Sequence, residues 1–148
     1  MTKAFFLVSP DPNVNTARAQ WTLTHTRDHV NHGGLSRTAL FHQVDASLAR
    51  LGTAYIDVLQ IHLFDATTPV EETMRALHDL VQSGKVRYLG ASNLKAWQLA
   101  EMNRVAELRG WTPFVSVQVE YSMLYRNPVG SSKSARCLCN LELIWRVF

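Results

Sequence analysis

The sequence is poor in cysteine. Of its 148 residues only two are cysteine, Cys137 and Cys139, with one residue between them. Cysteines this close together are poorly placed to bridge each other, so the chain is not a small disulfide-stapled domain. Its content of 47% apolar and 18% charged residues indicates instead a globular chain that can build its own core.

Long hydrophobic runs are also missing. No apolar stretch approaches the roughly 20 residues that a membrane-spanning helix needs, so we expect no membrane partner. Residues 1–12 contain one lysine and a short apolar patch, but not the full hydrophobic region and cleavage site of a signal peptide. We therefore expect a cytoplasmic protein.

Charge of one sign is not concentrated anywhere in the sequence. The formal net charge is +3, and the basic residues are scattered without a lysine or arginine run. Nucleic-acid binding needs clustered basic residues, so no nucleic-acid partner is expected. We expect no metal either, because His25, His29 and His32 lie in a loop that lacks cysteine or carboxylate at ligand spacing.

What the sequence does contain is a run typical of a strand buried on both faces, Tyr55–His62. Such strands belong to parallel sheets that are covered by helices. Before this run the sequence predicts a helix that begins behind the N-cap Ser36 and ends at Gly52. After it come a helix that is capped by Thr68 and ends at Gly84, and a strand over 86–91. A helix over 94–109, capped by Asn93 and burying Trp97, and a strand over 114–119 follow.

The unit of strand, loop and helix recurs about every thirty residues, as βαβ units do. This alternation predicts an α/β fold with a parallel sheet. A barrel and an open doubly wound sheet fit the alternation equally well. No GxGxxG follows any predicted strand, so the dinucleotide fingerprint of the open fold is missing.

Polar side chains stand where the predicted strands end. His62 follows the first full strand, Ser92 and Asn93 follow the second, and Gln118 lies at the end of the third. Parallel strands end at the same edge of a sheet, and barrel enzymes build their sites at that edge. Together these side chains can hydrogen-bond an amide-bearing cofactor and a carbonyl substrate.

Each of these residues also has a purely structural interpretation. His62 could be a core histidine that caps a strand, and Ser92 with Asn93 could form a helix N-cap. Gln118 in an apolar strand needs a hydrogen-bond partner in any fold. Lys3, close to the start methionine, would ordinarily be a solvated terminal lysine. The residues alone leave these alternatives open.

Three stretches carry a more specific pattern: Asp57–His62, the sequence GKVRYLGASN over Gly84–Asn93, and VSVQVEYSMLYR over Val115–Arg126. Together they resemble the aldo-keto reductases, and most of all the fungal aryl-alcohol dehydrogenase and versiconal-acetate-reductase type. The likeness includes Met1-Thr2-Lys3 and runs to about Asn127. It covers most of this chain but under half of a family member.

The resemblance implies a fold, a reaction and a set of roles. The fold would be a partial (β/α)8 TIM barrel with about strands 3 to 6, and the reaction the reduction of aldehydes and ketones with NADPH. Lys3 and His62 would be catalytic: Lys3 lowers the pKa of a tyrosine that protonates the carbonyl oxygen, and His62 orients that carbonyl. Ser92, Asn93 and Gln118 would hold the nicotinamide carboxamide of NADP(H). The implied partner is a small-molecule carbonyl substrate.

The sequence also departs from the family pattern. The family's catalytic aspartate and tyrosine would lie upstream of Lys3, so we expect activity to be impaired in this truncated chain. We expect residues 1–127 to be a partial reductase domain and residues 128–148 an unrelated tail from a shifted reading frame or a retained intron. The alternative is a non-catalytic remnant that acts as an interaction protein and self-associates through open sheet edges.

Overall fold

The structure, a computed structural model, describes residues 1–6, 32–119 and 144–147. In the described residues each helix lies between two strands in sequence, which is the βαβ arrangement. The elements are β1 (Thr2–Ala4), α1 (Arg37–Leu51), β2 (Ile56–Ile61), α2 (Val70–Gln82), β3 (Val86–Ser92), α3 (Ala96–Arg109), β4 (Phe114–Val119) and β5 (Ile144–Val147).

All of these strands belong to one sheet in the order β1-β2-β3-β4-β5, and each neighbouring pair is parallel. Strand order follows chain order, as in a barrel, whereas a doubly wound sheet reverses its order at a switch point. The arrangement confirms the predicted α/β fold as part of a (β/α)8 barrel.

The ends of α1 agree with the sequence prediction. Ser36 precedes the helix, and its hydroxyl accepts a hydrogen bond from the backbone N–H of Ala39 at 3.3 Å. Gly52 ends the helix with a φ of 62°, a left-handed conformation that a glycine adopts without a Cβ penalty. The boundary between α1 and β2 is therefore set by local sequence.

The starts of α2 and α3 differ from the prediction. The hydroxyl of Thr68, expected to cap α2, donates instead to Asp65 Oδ2 at 2.9 Å. Helix α3 starts behind Lys95, whose backbone N–H donates to Gln98 Oε1 at 2.8 Å. Asn93 is consequently not a helix cap and has a φ of 53° before the helix begins. Both predicted caps were wrong because another partner binds the side chain: Asp65 accepts from the Thr68 hydroxyl, and the carbonyl of His62 accepts from the Asn93 amide.

The core lies between the sheet and the helices. Leu59, Leu89 and Phe114 project from neighbouring strands to this side and are at most 2% exposed, and they share one apolar cluster with Leu77 of α2. Tyr88, on the other face of β3, is 58% exposed. In a closed barrel that other face is the enclosed one, and the candidate site is built on it.

The tail contributes one described segment. Ile144–Val147 pairs in parallel with Ser116–Val119 and forms β5 at the edge of the sheet. Residues 128–143 and 148 lie outside the described residues. The predicted boundary between a domain over 1–127 and a tail over 128–148 stays a prediction.

No helix among the described residues is long and apolar enough to cross a bilayer. The same residues contain no group of three metal-ligating side chains. His25 and His29 lie outside the described residues. The ring of His32 stacks on that of His42, with 4.0 Å between the ring centroids.

Candidate active site

The carboxyl ends of the central strands bring the predicted site residues together. Ile61 pairs with Ala91, and Ser92 pairs with Gln118. His62, directly after Ile61, therefore stands level with Ser92 and Gln118 on neighbouring strands. Because side chains at level positions of paired strands share a face, these groups line one edge of the sheet.

Lys3 joins this edge from the neighbouring strand β1. It pairs in register with Gln60, and its ammonium group donates to Ser92 Oγ at 3.5 Å. Ser92 is 1% exposed, so the hydroxyl is held at the bottom of the site while the lysine is exposed. The positive charge of Lys3 thus lies beside a buried hydroxyl at the barrel-facing surface.

His62 lies half-buried in this charged surrounding. Burial, and next the positive charge of Lys3, lower the pKa of His62 from its ordinary value of 6.5. The ring of Phe6 meets the imidazole edge-on, with 4.9 Å between centroids and 88° between planes. At neutral pH the imidazole is therefore uncharged, and one of its nitrogens carries a hydrogen that it can donate to a carbonyl oxygen.

Asn93 ties the strand ends to each other. Its backbone N–H donates to the carbonyl of Gln118 at 3.1 Å, and its side-chain amide donates to the carbonyl of His62 at 3.4 Å. The left-handed φ of Asn93 is a conformation that asparagine tolerates better than most residues. The residue therefore connects the ends of β2 and β4 across the end of β3.

Gln118 presents an unused acceptor. Its Oε1 is buried and has no hydrogen-bond partner among the described residues. A buried acceptor left unpaired costs about 1–3 kcal/mol, so a ligand that donates an N–H there would recover this cost. With the adjacent Ser92 hydroxyl, which can donate and accept, Gln118 fits a carboxamide group.

A second carboxamide lies one layer deeper, where sequence reasoning assigned no role. Gln60 is 3% exposed, and its Oε1 also has no partner among the described residues. It packs over Gly90, where a Cβ would lie 2.7 Å from Gln60 Cγ and 2.6 Å from Ser116 Oγ. Glycine at this position therefore makes room for two polar side chains on the barrel-facing surface.

Sequence reasoning assigned no role to Phe6 or to Asp65, which lies three residues after His62. No motif in the sequence pointed to Phe6, whose ring contacts the imidazole. Asp65 accepts hydrogen bonds from the backbone and the hydroxyl of Thr67 at 2.9 and 2.6 Å. An aspartate two residues before a bonded N–H is an Asx-turn, a pattern that could have drawn attention to Asp65.

The chain is similar to a known protein family and to individual members of it. A model described as the Aldo/keto reductase family matches residues 6–140. An aldo-keto reductase of Alternaria alternata is 56% identical over 119 residues, which are 80% of this chain and 32% of that protein. Versiconal hemiacetal acetate reductase of Aspergillus parasiticus is 44% identical over 130 residues, 85% of this chain and 36% of that enzyme.

A third relative is a Schizosaccharomyces pombe protein named for the aryl-alcohol dehydrogenases. It is 52% identical over 97 residues, 66% of this chain and 27% of its own length. The chain thus spans about a third of the length of the curated relatives it matches. The family match includes His62, Ser92, Asn93 and Gln118 but starts after Lys3, whose assignment depends on its position beside Ser92 and His62.

Proposed function

Because the chain belongs to the aldo/keto reductase family, we propose that it supplies part of the active site of a cytoplasmic, NADPH-dependent oxidoreductase that reduces aldehydes and ketones to alcohols. The observation that carries this proposal is the convergence of a cation, a neutral imidazole and two carboxamides at the carboxyl edge of a parallel sheet. Similar relatives are named as reductases and support the same reaction class.

Three residues suit the nicotinamide end of NADP(H), which when bound supplies the hydride. The unpaired Oε1 of Gln118 accepts an amide N–H, and the Ser92 hydroxyl bonds the same carboxamide from the neighbouring strand. Asn93 fixes the two strand ends between which that carboxamide sits. Their common role is to hold the cofactor ring in one orientation against the sheet.

His62 and Lys3 suit the substrate carbonyl. Neutral His62 donates an N–H to the carbonyl oxygen and so fixes its direction, since burial and Lys3 keep the imidazole uncharged. The Lys3 ammonium stabilises the negative charge that develops on that oxygen. It also favours the ionised form of any proton-donating group placed beside it, which lowers the pKa of that group.

Calorimetric titration of the purified chain with NADPH and with NADH tests the cofactor assignment. We expect saturable binding of both nucleotides, because the assigned residues face the nicotinamide end, which NADPH and NADH share. Gln118→Ala removes one hydrogen bond of about 1 kcal/mol and should weaken binding about fivefold. Gln82→Ala, an exposed glutamine at the end of α2, is the matched control; equal affinity in both variants would contradict the role of Gln118.

A second candidate function is that of an interaction protein, and the shape of the sheet favours it. The described strands form a linear series whose edges are β1 and β5. Tyr88, which shares the barrel-facing surface with Gly90, is 58% exposed, whereas Leu89 on the helix side is fully buried. We propose that a second copy of the chain covers these edges and this surface, because unpaired strand edges recruit other strands.

Analytical ultracentrifugation over a range of protein concentrations tests this second function. We expect the average mass to rise with concentration as copies pair. Tyr88→Lys places a charge on the uncovered surface and should lower the association, while Arg104→Lys on the exposed side of α3 should not. A single monomeric species throughout, with a sharp cooperative thermal transition, would exclude self-association.

A further inference from the structure

Asp65 has an unusually complete set of hydrogen bonds for a loop carboxylate. Oδ2 accepts from the backbone N–H of Leu35 at 2.8 Å and from the hydroxyl of Thr68 at 2.9 Å. Oδ1 accepts from the backbone N–H and the hydroxyl of Thr67, at 2.9 and 2.6 Å. Burial raises the pKa of Asp65, but these hydrogen bonds outweigh it and the pKa lies below its ordinary value.

The bond to Leu35 links two segments that are thirty residues apart in sequence. Next to Leu35, the backbone N–H of Gly34 donates to the carbonyl of Phe5 at 2.9 Å. The Phe5 ring contacts that of Phe6 edge-on at 5.3 Å, and the Phe6 ring contacts His62. The contacts therefore run from Asp65 to the end of β1 and return to His62, three residues before Asp65.

We propose that Asp65 is a positioning residue for His62: it anchors the loop after β2 to Leu35, and thereby holds the imidazole against Phe6 and close to Lys3. This positioning role depends on the proposed function only because that function has His62 contact the substrate. The anchoring itself is a property of the chain without cofactor or substrate.

The chemistry of the contact specifies a carboxylate. The two backbone N–H groups, of Leu35 and Thr67, donate to different oxygens of Asp65. An asparagine has one acceptor oxygen, and its NH₂ group would face one of these two donors. Asp65→Asn therefore breaks at least one of the two backbone bonds while leaving the size of the side chain unchanged.

Gly34 offers an independent way to disturb the same contact. Its φ is 79°, and a Cβ there would lie 2.7 Å from Asp65 Oδ2. Gly34→Ala should therefore push the carboxylate away from Leu35. Gly52 has a similar φ of 62°, and a Cβ there would have no other side chain or backbone segment within 4 Å. Gly52→Ala therefore introduces the same backbone strain without a clash and is the matched control.

The test is an NMR titration of the histidine ring protons in the full chain, with the signal of His62 assigned by its loss in His62→Gln. In the unsubstituted chain we expect a pKa below 6.5 and a ring-current shift from Phe6. In Asp65→Asn and Gly34→Ala, the pKa should rise toward 6.5 and the ring-current shift should shrink. Gly52→Ala should change neither.

Two results would overturn the proposal. One is a loss of thermal stability in Asp65→Asn while the His62 signals stay unchanged, which would make Asp65 a structural residue only. The other is an equal change in the pKa and the ring-current shift of His62 in Gly34→Ala and Gly52→Ala. If Asp65→Asn does not fold, Thr68→Val, which removes only the 2.9 Å hydroxyl bond, replaces it in the same comparison. NADPH binding is measured separately, so failure of the proposed function would not be mistaken for failure of this inference.

Discussion

The side-chain amide of Asn93 donates a hydrogen bond to the backbone carbonyl of His62, with 3.4 Å between Nδ2 and the oxygen. On its other side the backbone N–H of Asn93 donates to the carbonyl of Gln118. One residue in a left-handed conformation thus fixes the histidine proposed to face the substrate relative to the glutamine proposed to face the cofactor.

Substitutions at Asn93 should separate its backbone role from its side-chain role. Alanine in a left-handed conformation costs roughly 1–2 kcal/mol, whereas glycine adopts it freely. We therefore expect Asn93→Ala to lower the free energy of unfolding by about 1–2 kcal/mol more than Asn93→Gly does, as measured by urea denaturation. Both variants should bind NADPH more weakly than the unsubstituted chain.

His62→Ala is the companion variant, because His62 is assigned to the carbonyl. It should leave NADPH affinity almost unchanged in the same titration. Equal losses of affinity in His62→Ala and Asn93→Gly would contradict the division of roles between the two residues.

A second prediction concerns the effect of Lys3 on His62. Burial is the larger cause of the lowered pKa of His62 and the charge of Lys3 the smaller. Lys3→Met should therefore raise the pKa of His62 in an NMR titration but leave it below 6.5. Lys95→Met, an exposed lysine before α3, is the control. An unchanged pKa after Lys3→Met would show that the ammonium does not act on the imidazole.

The sign of the accompanying pH effect follows from linkage. The pKa of His62 is lower in the folded chain than in the unfolded chain, so the unfolded chain binds more protons between the two values. Stability should therefore fall as pH drops from about 6.5 to the folded pKa of His62. The fall should be smaller in Lys3→Met, because the two pKa values are then closer together.

The sequence predicted those parts of the fold that depend on local chemistry. The predicted strand over 114–119 is β4, and Ser36 caps α1. Thr68 was assigned to the wrong partner because the acceptor of its hydroxyl, Asp65, belongs to a turn that spacing rules for helix caps do not consider. A local pattern predicts a partner correctly only where no tertiary partner competes for the same group.

Burial in α3 shows the same limit. Trp97 has the spacing of a core residue, yet it is 61% exposed and pairs with Phe64 at 6.2 Å. Periodicity identifies an apolar face but not which part of it the sheet covers. The sequence could predict that His62, Ser92 and Gln118 converge, because all three follow strands, whereas the contact of Phe6 with His62 is seen only in the folded chain.

A third prediction concerns the room that Gly90 makes. A Cβ at this position would meet Ser116 Oγ at 2.6 Å and Gln60 Cγ at 2.7 Å. Overpacking of this kind costs about 1–3 kcal/mol, so Gly90→Ala should lower the free energy of unfolding by that amount. Adding Ser116→Gly removes one of the two clashes and should recover part of the loss. The effect of Gly90→Ala on the free energy of unfolding is then compared with and without Ser116→Gly. An equal loss in both backgrounds would show that the contact with Ser116 Oγ does not cause the destabilisation.

The last prediction is that the chain of 148 residues has little or no carbonyl reductase activity of its own. Hydride transfer to a carbonyl needs an acid that protonates the oxygen, and such an acid contributes about a hundred- to ten-thousand-fold in rate. Tyr88 lies four residues before Ser92, about 13 Å along an extended strand, and Tyr55 lies before the opposite end of β2. No tyrosine among the described residues therefore reaches the site.

The remaining groups do not replace that acid. Neutral His62 orients an oxygen but holds its proton at pH 7, and Lys3 acts through its charge. We therefore expect the absorbance of NADPH to stay constant when the purified chain is mixed with an aromatic aldehyde, even where calorimetry shows that the nucleotide binds. Consumption that is proportional to protein concentration, and that disappears in a Lys3→Met, His62→Ala double variant, would show that these two residues and the sheet edge they stand on suffice for the reaction.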